Sequence, residues 1–169
     1  GGDGNDFINF KNDEGIKLIY GESGNDSLYG GNGNDSIEGG VGNDIIYGGT
    51  GHDSILGGSD NDNLWGNEGN DTLDGGDGND SLFANPNANA QGAFLYGGAG
   101  TDLISGSGQA DYIEAGDGKD VIIAGAGDDI VLGGAGDDSL AGGAGNDLIY
   151  GDTGGSALIG NRITNGDFS

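Results

Sequence analysis

Gly30-Gly31-Asn32-Gly33-Asn34-Asp35-Ser36-Ile37-Glu38 is one copy of a nine-residue unit, Gly-Gly-x-Gly-x-Asp-x-Φ-x, where Φ is a large aliphatic. Seven copies run without a gap from Gly21 to Phe83, seven more run from Gly97 to Ile159, and one opens the chain at Gly1–Asn9. The eighth place holds Ile8, Leu28, Ile37, Ile46, Ile55, Leu64, Leu73 and Leu82. It continues with Ile104, Ile113, Ile122, Val131, Leu140, Ile149 and Leu158. The sixth place holds Asp6, Asp26, Asp35, Asp44, Asp53, Asp62, Asp71 and Asp80, then Asp102, Asp111, Asp120, Asp129, Asp138 and Asp147, with Ser156 in the last copy. A short fixed period of this kind specifies a solenoid built by stacking, not a globule around one core.

Two intervening stretches carry worn copies. Asn12–Tyr20 keeps Gly15, Ile19 and Tyr20 but has Lys17 at the sixth place, and Ala88–Tyr96 keeps Leu95 and Tyr96 but has Ala93 there. What remains inserted is Phe10-Lys11 and Ala84-Asn85-Pro86-Asn87, expected to bulge and leave the solenoid continuous. The repeat region is therefore 1–159, followed by a tail, 160–169, that leaves the register. In the tail, Ile163-Thr164-Asn165-Gly166-Asp167-Phe168 is expected to form a cap, a linker or the opening strand of a following domain. The chain starts at Gly1, in mid-pattern and without Met, as a fragment of a longer protein would.

Composition limits what such a chain can be. Of 169 residues 43 are Gly, and each unit offers one dependable core aliphatic. Glycine has no side chain to bury and loses the most backbone entropy on folding, so the core is thin. A net charge of −25 with modest hydrophobicity would ordinarily mean disorder. Carboxylates at regular spacing point instead to disorder that a bound cation removes. There is no Cys, which excludes disulfides and thiolate metal sites. Lys11, Lys17, Lys119 and Arg162 are the whole cationic complement, which argues against nucleic acid as a partner. No apolar run reaches membrane-spanning length, and no signal peptide is visible.

The unit divides into a turn, Gly-Gly-x-Gly-x-Asp, and a short strand, x-Φ-x, with Φ facing inward. The glycines serve positive φ or close backbone approach. Two units make one coil of strand, turn, strand, turn. Coils stacked at ~4.8 Å give two parallel sheets with the aliphatics between them, in a rod roughly 40 Å long. Turns on one edge then come from every second unit, so Asp26 lies over Asp44, Asp62 and Asp80, while Asp35, Asp53 and Asp71 share the other edge. Carboxylates that close repel unless a cation lies between them. Carboxylate and carbonyl oxygens suit Ca2+, which accepts six to eight oxygens at ~2.3–2.6 Å, better than Mg2+, which keeps its waters.

Copies such as Gly142-Gly143-Ala144-Gly145-Asn146-Asp147-Leu148-Ile149-Tyr150 resemble in full the nonapeptide of the repeats-in-toxin (RTX) calcium-binding family. The resemblance implies an all-β, right-handed parallel β-roll of stacked 18-residue coils with Ca2+ between turns n and n+2. The sixth-position Asp and the carbonyls of the glycine-rich turns would supply the ligands. Carried over, the ligand pairs are Asp26/Asp44, Asp35/Asp53, Asp44/Asp62, Asp53/Asp71 and Asp62/Asp80. In the second block they are Asp102/Asp120, Asp111/Asp129, Asp120/Asp138 and Asp129/Asp147, with Asp6/Asp26 and Asp80/Asp102 spanning the insertions. Lys17, Ala93 and Ser156 mark absent or weakened sites; Asp60 and Gln109 replace fourth-position glycines, where Asp tolerates positive φ better than Gln does. About ten Ca2+ ions would bring roughly +20 against the −25 of the chain, so metal binding and folding become one equilibrium. Family members are described as bacterial proteins exported unfolded by a type I system and folded outside the cell, which implies a secreted or cell-surface location.

Other chemistries find little support. His52 stands alone between Gly51 and Asp53 and has no soft ligands beside it for zinc. The scattered Glu residues form no glycosidase pair, and the mixed outward positions lack the hydroxyl array an ice-binding face needs. The segment is therefore expected to be non-enzymatic, a calcium-folded scaffold or spacer. Tyr29, Tyr47, Trp65 and Phe83 recur at the ninth place of every second copy. They form either a self-stacking ladder or a platform for glycans or for neighbouring domains of the same polypeptide. Phe94, Tyr112, Ile130, Leu132, Leu148 and Tyr150 make the opposite face apolar too. A non-catalytic domain of a secreted enzyme is a further alternative.

Overall fold

The computed structural model describes residues 1–85 and 92–151 and the backbone of strand Arg162–Asn165. It is an all-β solenoid of two parallel sheets of nine strands each. Successive strands of the chain alternate between the sheets. Strand Ser27–Asn32 pairs with Ile45–Thr50, which pairs with Asn63–Glu68, while Ser36–Val41, Ser54–Ser59 and Thr72–Asp77 pair in the opposite sheet. Each coil takes up two repeat units, placing Leu28 beside Ile46 and Ile46 beside Leu64.

Both insertions appear as local departures from that register. Ile8 pairs with Leu28 and Leu73 with Leu95, each offset longer than a regular coil by the length of the insertion it spans. The sheets continue through both steps. The worn copies keep their core positions, with Ile19 beside Ile37 and Leu95 beside Ile113. Residues 86–91, the end of the second insertion and the start of the worn copy after it, lie outside the described residues, as do Ser156 and Leu158. In the tail, Arg162–Asn165 adds a final parallel strand beside Ser139–Ala144, with Ile163 opposite Leu140.

The strands are longer than the tripeptide the pattern suggests. Most run six residues, through the two glycines of the next unit, as in Ser27–Asn32 and Ser54–Ser59. Without side chains, those glycines let the backbones approach and keep the ladder hydrogen bonds running up to the turn. Inward positions therefore fall at the sixth, eighth and first places. Leu28, Ile46, Leu64, Leu73, Leu82, Leu95, Ile104 and Ile113 are fully buried between the sheets, and they form one continuous core from Ile19 to Leu140.

On the outer face of one sheet the ninth-position aromatics stack on one another. Tyr29–Tyr47, Tyr47–Trp65 and Trp65–Phe83 have centroids 4.9, 4.6 and 5.4 Å apart and planes within 12–17° of parallel. Phe7 closes one end in a tilted contact with Tyr29. Ring faces that a sugar could stack on are thus covered by neighbouring rings, which favours the self-stacking ladder. On the opposite sheet Phe94 meets Tyr112 in a tilted contact, continuing through Ile130 to Leu148 by register.

Candidate metal centre

Each sixth-position Asp ends a turn and points inward, in line with the aliphatic two residues later. Its backbone N–H donates to Oδ1 of the Asp one coil further on. Asp26 to Asp44 is 2.7 Å, Asp44 to Asp62 and Asp62 to Asp80 are 2.8 Å, and Asp80 to Asp102 is 2.9 Å. The column begins with Asp6 to Asp26 and runs on through Asp102 to Asp120 and Asp120 to Asp138. The other edge carries Asp35 to Asp53, Asp53 to Asp71, Asp111 to Asp129 and Asp129 to Asp147. Lys17 and Ala93 occupy the sixth place on that second edge, and both still donate their amides onward, to Asp35 and Asp111.

The second oxygen of these carboxylates is the informative one. Oδ2 of Asp6, Asp26, Asp35, Asp44, Asp53, Asp62, Asp80, Asp102, Asp120, Asp129 and Asp147 is buried and accepts no hydrogen bond. Buried polar atoms without partners are rare and costly, and this structure repeats one nearly every coil. The glycine at the first place explains where the oxygen lies. A Cβ on Gly30 would come 2.5 Å from Asp35 Oδ2 and 2.6 Å from the carbonyl oxygen of Gly48 on the next coil. Carboxylate and carbonyl oxygen therefore converge on one cradle, which glycine leaves open in most units, while Ala115 and Ala124 take the first place before Asp120 and Asp129. The backbone φ of Gly30 is not left-handed, so this glycine serves space, not conformation.

The second and fourth places do need left-handed backbone. Gly40 and Gly42 have φ of 115° and 125°, and a Cβ on either would run into the carbonyl of the equivalent residue one coil back, Glu22 or Gly24. Asp60, at a fourth place, adopts φ 78°, so the turn there keeps its geometry without glycine. Carbonyls thus line each edge beside the carboxylates. Among the described residues no three acidic or histidine side chains converge. Each turn contributes one carboxylate, and the remaining donors of a cation site here have to be backbone oxygens. That all-oxygen set, with an unpartnered anionic oxygen at its centre, fits Ca2+.

Burial governs the ionisation of these groups. It pushes Asp53 and Asp62 up to about 7, and Asp44, Asp102, Asp120 and Asp129 up to about 6. The amide hydrogen bond from the preceding coil opposes the rise, and repulsion between stacked carboxylates adds to it.

A second ladder escaped the sequence reading. Fifth-position side chains accept amides from the coil after them. Asn25 N–H donates to Asn5 Oδ1, Asn43 to Asn25, Asn61 to Asn43 and Asn79 to Asn61, at 2.8–3.1 Å. His52 belongs to this series: its amide donates to Asn34, and its Nδ1 accepts from the amide of Asn70 at 3.0 Å. The repeated Asn at the fifth place was the available signal.

Stacked coils whose turns carry columns of carboxylates and carbonyls define a class, the calcium-binding β-rolls. The chain matches the family model of the RTX calcium-binding nonapeptide repeat in four copies, over residues 20–55, 47–82, 96–131 and 123–156. It belongs to that family. No curated protein matches the chain. No helix among the described residues is long and apolar enough to cross a membrane, an observation silent on β-barrels.

Proposed function

We propose that this segment is a calcium-folded scaffold or spacer of a secreted or cell-surface bacterial protein, exported unfolded and ordered by external Ca2+. The observation that carries this reading is the column of buried, unpartnered Oδ2 atoms on the sixth-position Asp residues. Without cations the fold buries like charges one coil apart, and the thin core has little with which to offset them. With cations in the cradles, those same oxygens tie each coil to the next. About ten ions are expected from the number of stacked pairs, at affinities of ~10⁻⁴–10⁻³ M typical of extracellular modules. Low cytosolic Ca2+ would keep the chain threadable, and neighbouring domains of the same polypeptide would be its partners.

Titrating Ca2+ into the chelated chain while following far-UV circular dichroism, with Mg2+ as control, tests this. A cooperative coil-to-β transition specific to Ca2+ is expected. A chain already fully β-structured in chelator would sink the proposal.

A further inference from the structure

The two edges of the roll are not equivalent. One carries an unbroken column of sixth-position Asp from Asp6 to Asp138. Among the described residues the sixth-place replacements, Lys17 and Ala93, both fall on the other edge, as does the turn ending at Asp111.

In turn 12–17 a tethered cation stands where the metal would. Lys17 Nζ donates to the carbonyl of Asp13 in its own turn and to that of Asn32 one coil further on, each at 2.8 Å. It bridges two coils through turn carbonyls, as a cation between turns must, and its backbone amide still donates to Asp35 Oδ1 at 2.8 Å.

In turn 106–111 hydrogen bonds do the work. Asp111 Oδ2 accepts the amide of Ser107 at 2.6 Å, and Oδ1 accepts the Ser107 hydroxyl at 2.9 Å and the Ala93 amide at 2.6 Å. Unlike the carboxylates whose Oδ2 accepts nothing, this one has donors on both oxygens, inside a turn where Ser107 and Asp111 are both buried.

Backbone conformation separates the same two turns from the rest. Each regular turn described, from Gly2 and Gly4 to Gly143 and Gly145, is left-handed at both its second and fourth places. Turn 12–17 keeps only Gly15 left-handed, and turn 106–111 has neither Ser107 nor Gln109 so.

We propose that turns 12–17 and 106–111 close without calcium, the Lys17 ammonium replacing the ion in the first and Ser107 in the second. The complete edge then takes a continuous column of ions. The other edge is closed at its N-terminal end and takes its ions in two separate groups, one among Asp35, Asp53 and Asp71 and the other between Asp129 and Asp147. The inference rests on the calcium reading above.

Counting bound Ca2+ on the folded chain by native mass spectrometry tests it. Restoring the repeat pattern in Asp13→Gly/Lys17→Asp and in Ser107→Gly/Gln109→Gly should add one ion each. Lys17→Gln should leave the count unchanged but raise the calcium midpoint of folding seen by circular dichroism. Parent and restored variants with equal counts would overturn the proposal, as would Lys17→Gln with an extra ion or an unchanged midpoint. A parent that binds no Ca2+ would instead overturn the calcium reading itself, so the two failures are distinguishable.

Discussion

The backbone N–H of Asp44 donates to Oδ1 of Asp62, 2.8 Å away on the next coil, while Oδ2 of the same Asp62 is buried and accepts nothing. One oxygen of Asp62 is thus committed to the chain, and on the calcium reading proposed above the other is open to a cation. This division of labour makes the site testable by substitutions that separate the two.

Asp44→Ala removes the acceptor of the Asp26 amide and a ligand to the cradles on both sides. Leaving that buried amide unpaired costs about 1–3 kcal/mol. Two ion sites should weaken, whereas Asp147→Ala, at the last sixth-position Asp on its edge, should weaken one. Asp44→Asn keeps an Oδ1 acceptor and loses the charge. It should therefore be more stable than the parent in chelator and need more Ca2+ to reach full folding. Calcium titrations of the three variants check the order, and equal stoichiometry in Asp44→Ala and Asp147→Ala would contradict the stacked pairs.

Gly30→Ala places a methyl group between Asp35 Oδ2 and the Gly48 carbonyl. Backbone strain is not the issue, because Gly30 is not in the left-handed region. Overpacking of this kind costs about 1–3 kcal/mol. The expected result is a lower melting temperature in Ca2+. Gly4 is the contrasting position: a Cβ there meets nothing within 4 Å, although its φ of 106° strains any side chain. Gly4→Ala should destabilise while keeping every ion.

Much of this was readable from periodicity. Φ at the eighth place and Asp at the sixth recur so regularly that coil length, core and the two carboxylate columns followed from spacing alone. What periodicity could not convey was how single residues use the space between coils. The first-position glycine reads as a turn glycine, yet its role is to leave room for Asp Oδ2. The fifth place reads as variable because His52, Thr101, Ala110, Lys119, Asp128 and others interrupt the Asn series, yet His52 and Asp128 each offer an acceptor to the following coil. Lys17 and Ser107 each break the pattern, and spacing marks the break without saying what takes the place of the missing group. Their parts emerge only when Asn32 and Asp111 are seen beside them.

Leu64 is fully buried between the sheets with Ile46 and Leu82 beside it in register. Leu64→Ala should cost about 2–5 kcal/mol, the range for a core Leu truncated in a packed site. In a solenoid with one aliphatic per strand there is little else to compensate. Leu64→Asp buries an unpaired charge and should leave the first block unfolded even in saturating Ca2+. A native far-UV spectrum for Leu64→Asp would contradict the inward assignment.

Trp65 stacks on Tyr47 from one side and Phe83 from the other. Each such pair contributes about 0.5–1.5 kcal/mol beyond its area, so Trp65→Ala should lower the melting temperature without changing the number of bound ions. Its emission should shift to the blue as Ca2+ folds the chain. Oligosaccharides should leave the emission of the folded protein unchanged, because both ring faces are covered. A saturable sugar-induced change would restore the glycan platform as a reading.

Protons should compete with calcium for the same oxygens. Burial raises Asp53 and Asp62 to about 7 and Asp44, Asp102, Asp120 and Asp129 to about 6, against 3.8 for an unburied Asp. Between those values the folded chain holds more protons than the unfolded one, so the metal-free fold loses stability as pH rises from about 4 to about 7. Below that window both states are protonated and the penalty vanishes. Above it the penalty is complete, and only a cation can offset it. In chelator, acidification from pH 7.5 to pH ~4.5 should therefore increase β structure. In limiting Ca2+ the same change should release ions, because the protonated carboxyl is a poor ligand. Circular dichroism and a calcium-sensitive dye, read on the same pH series, check both halves. A metal-free chain whose β content falls on acidification would show that the buried carboxylates are not what keeps it unfolded.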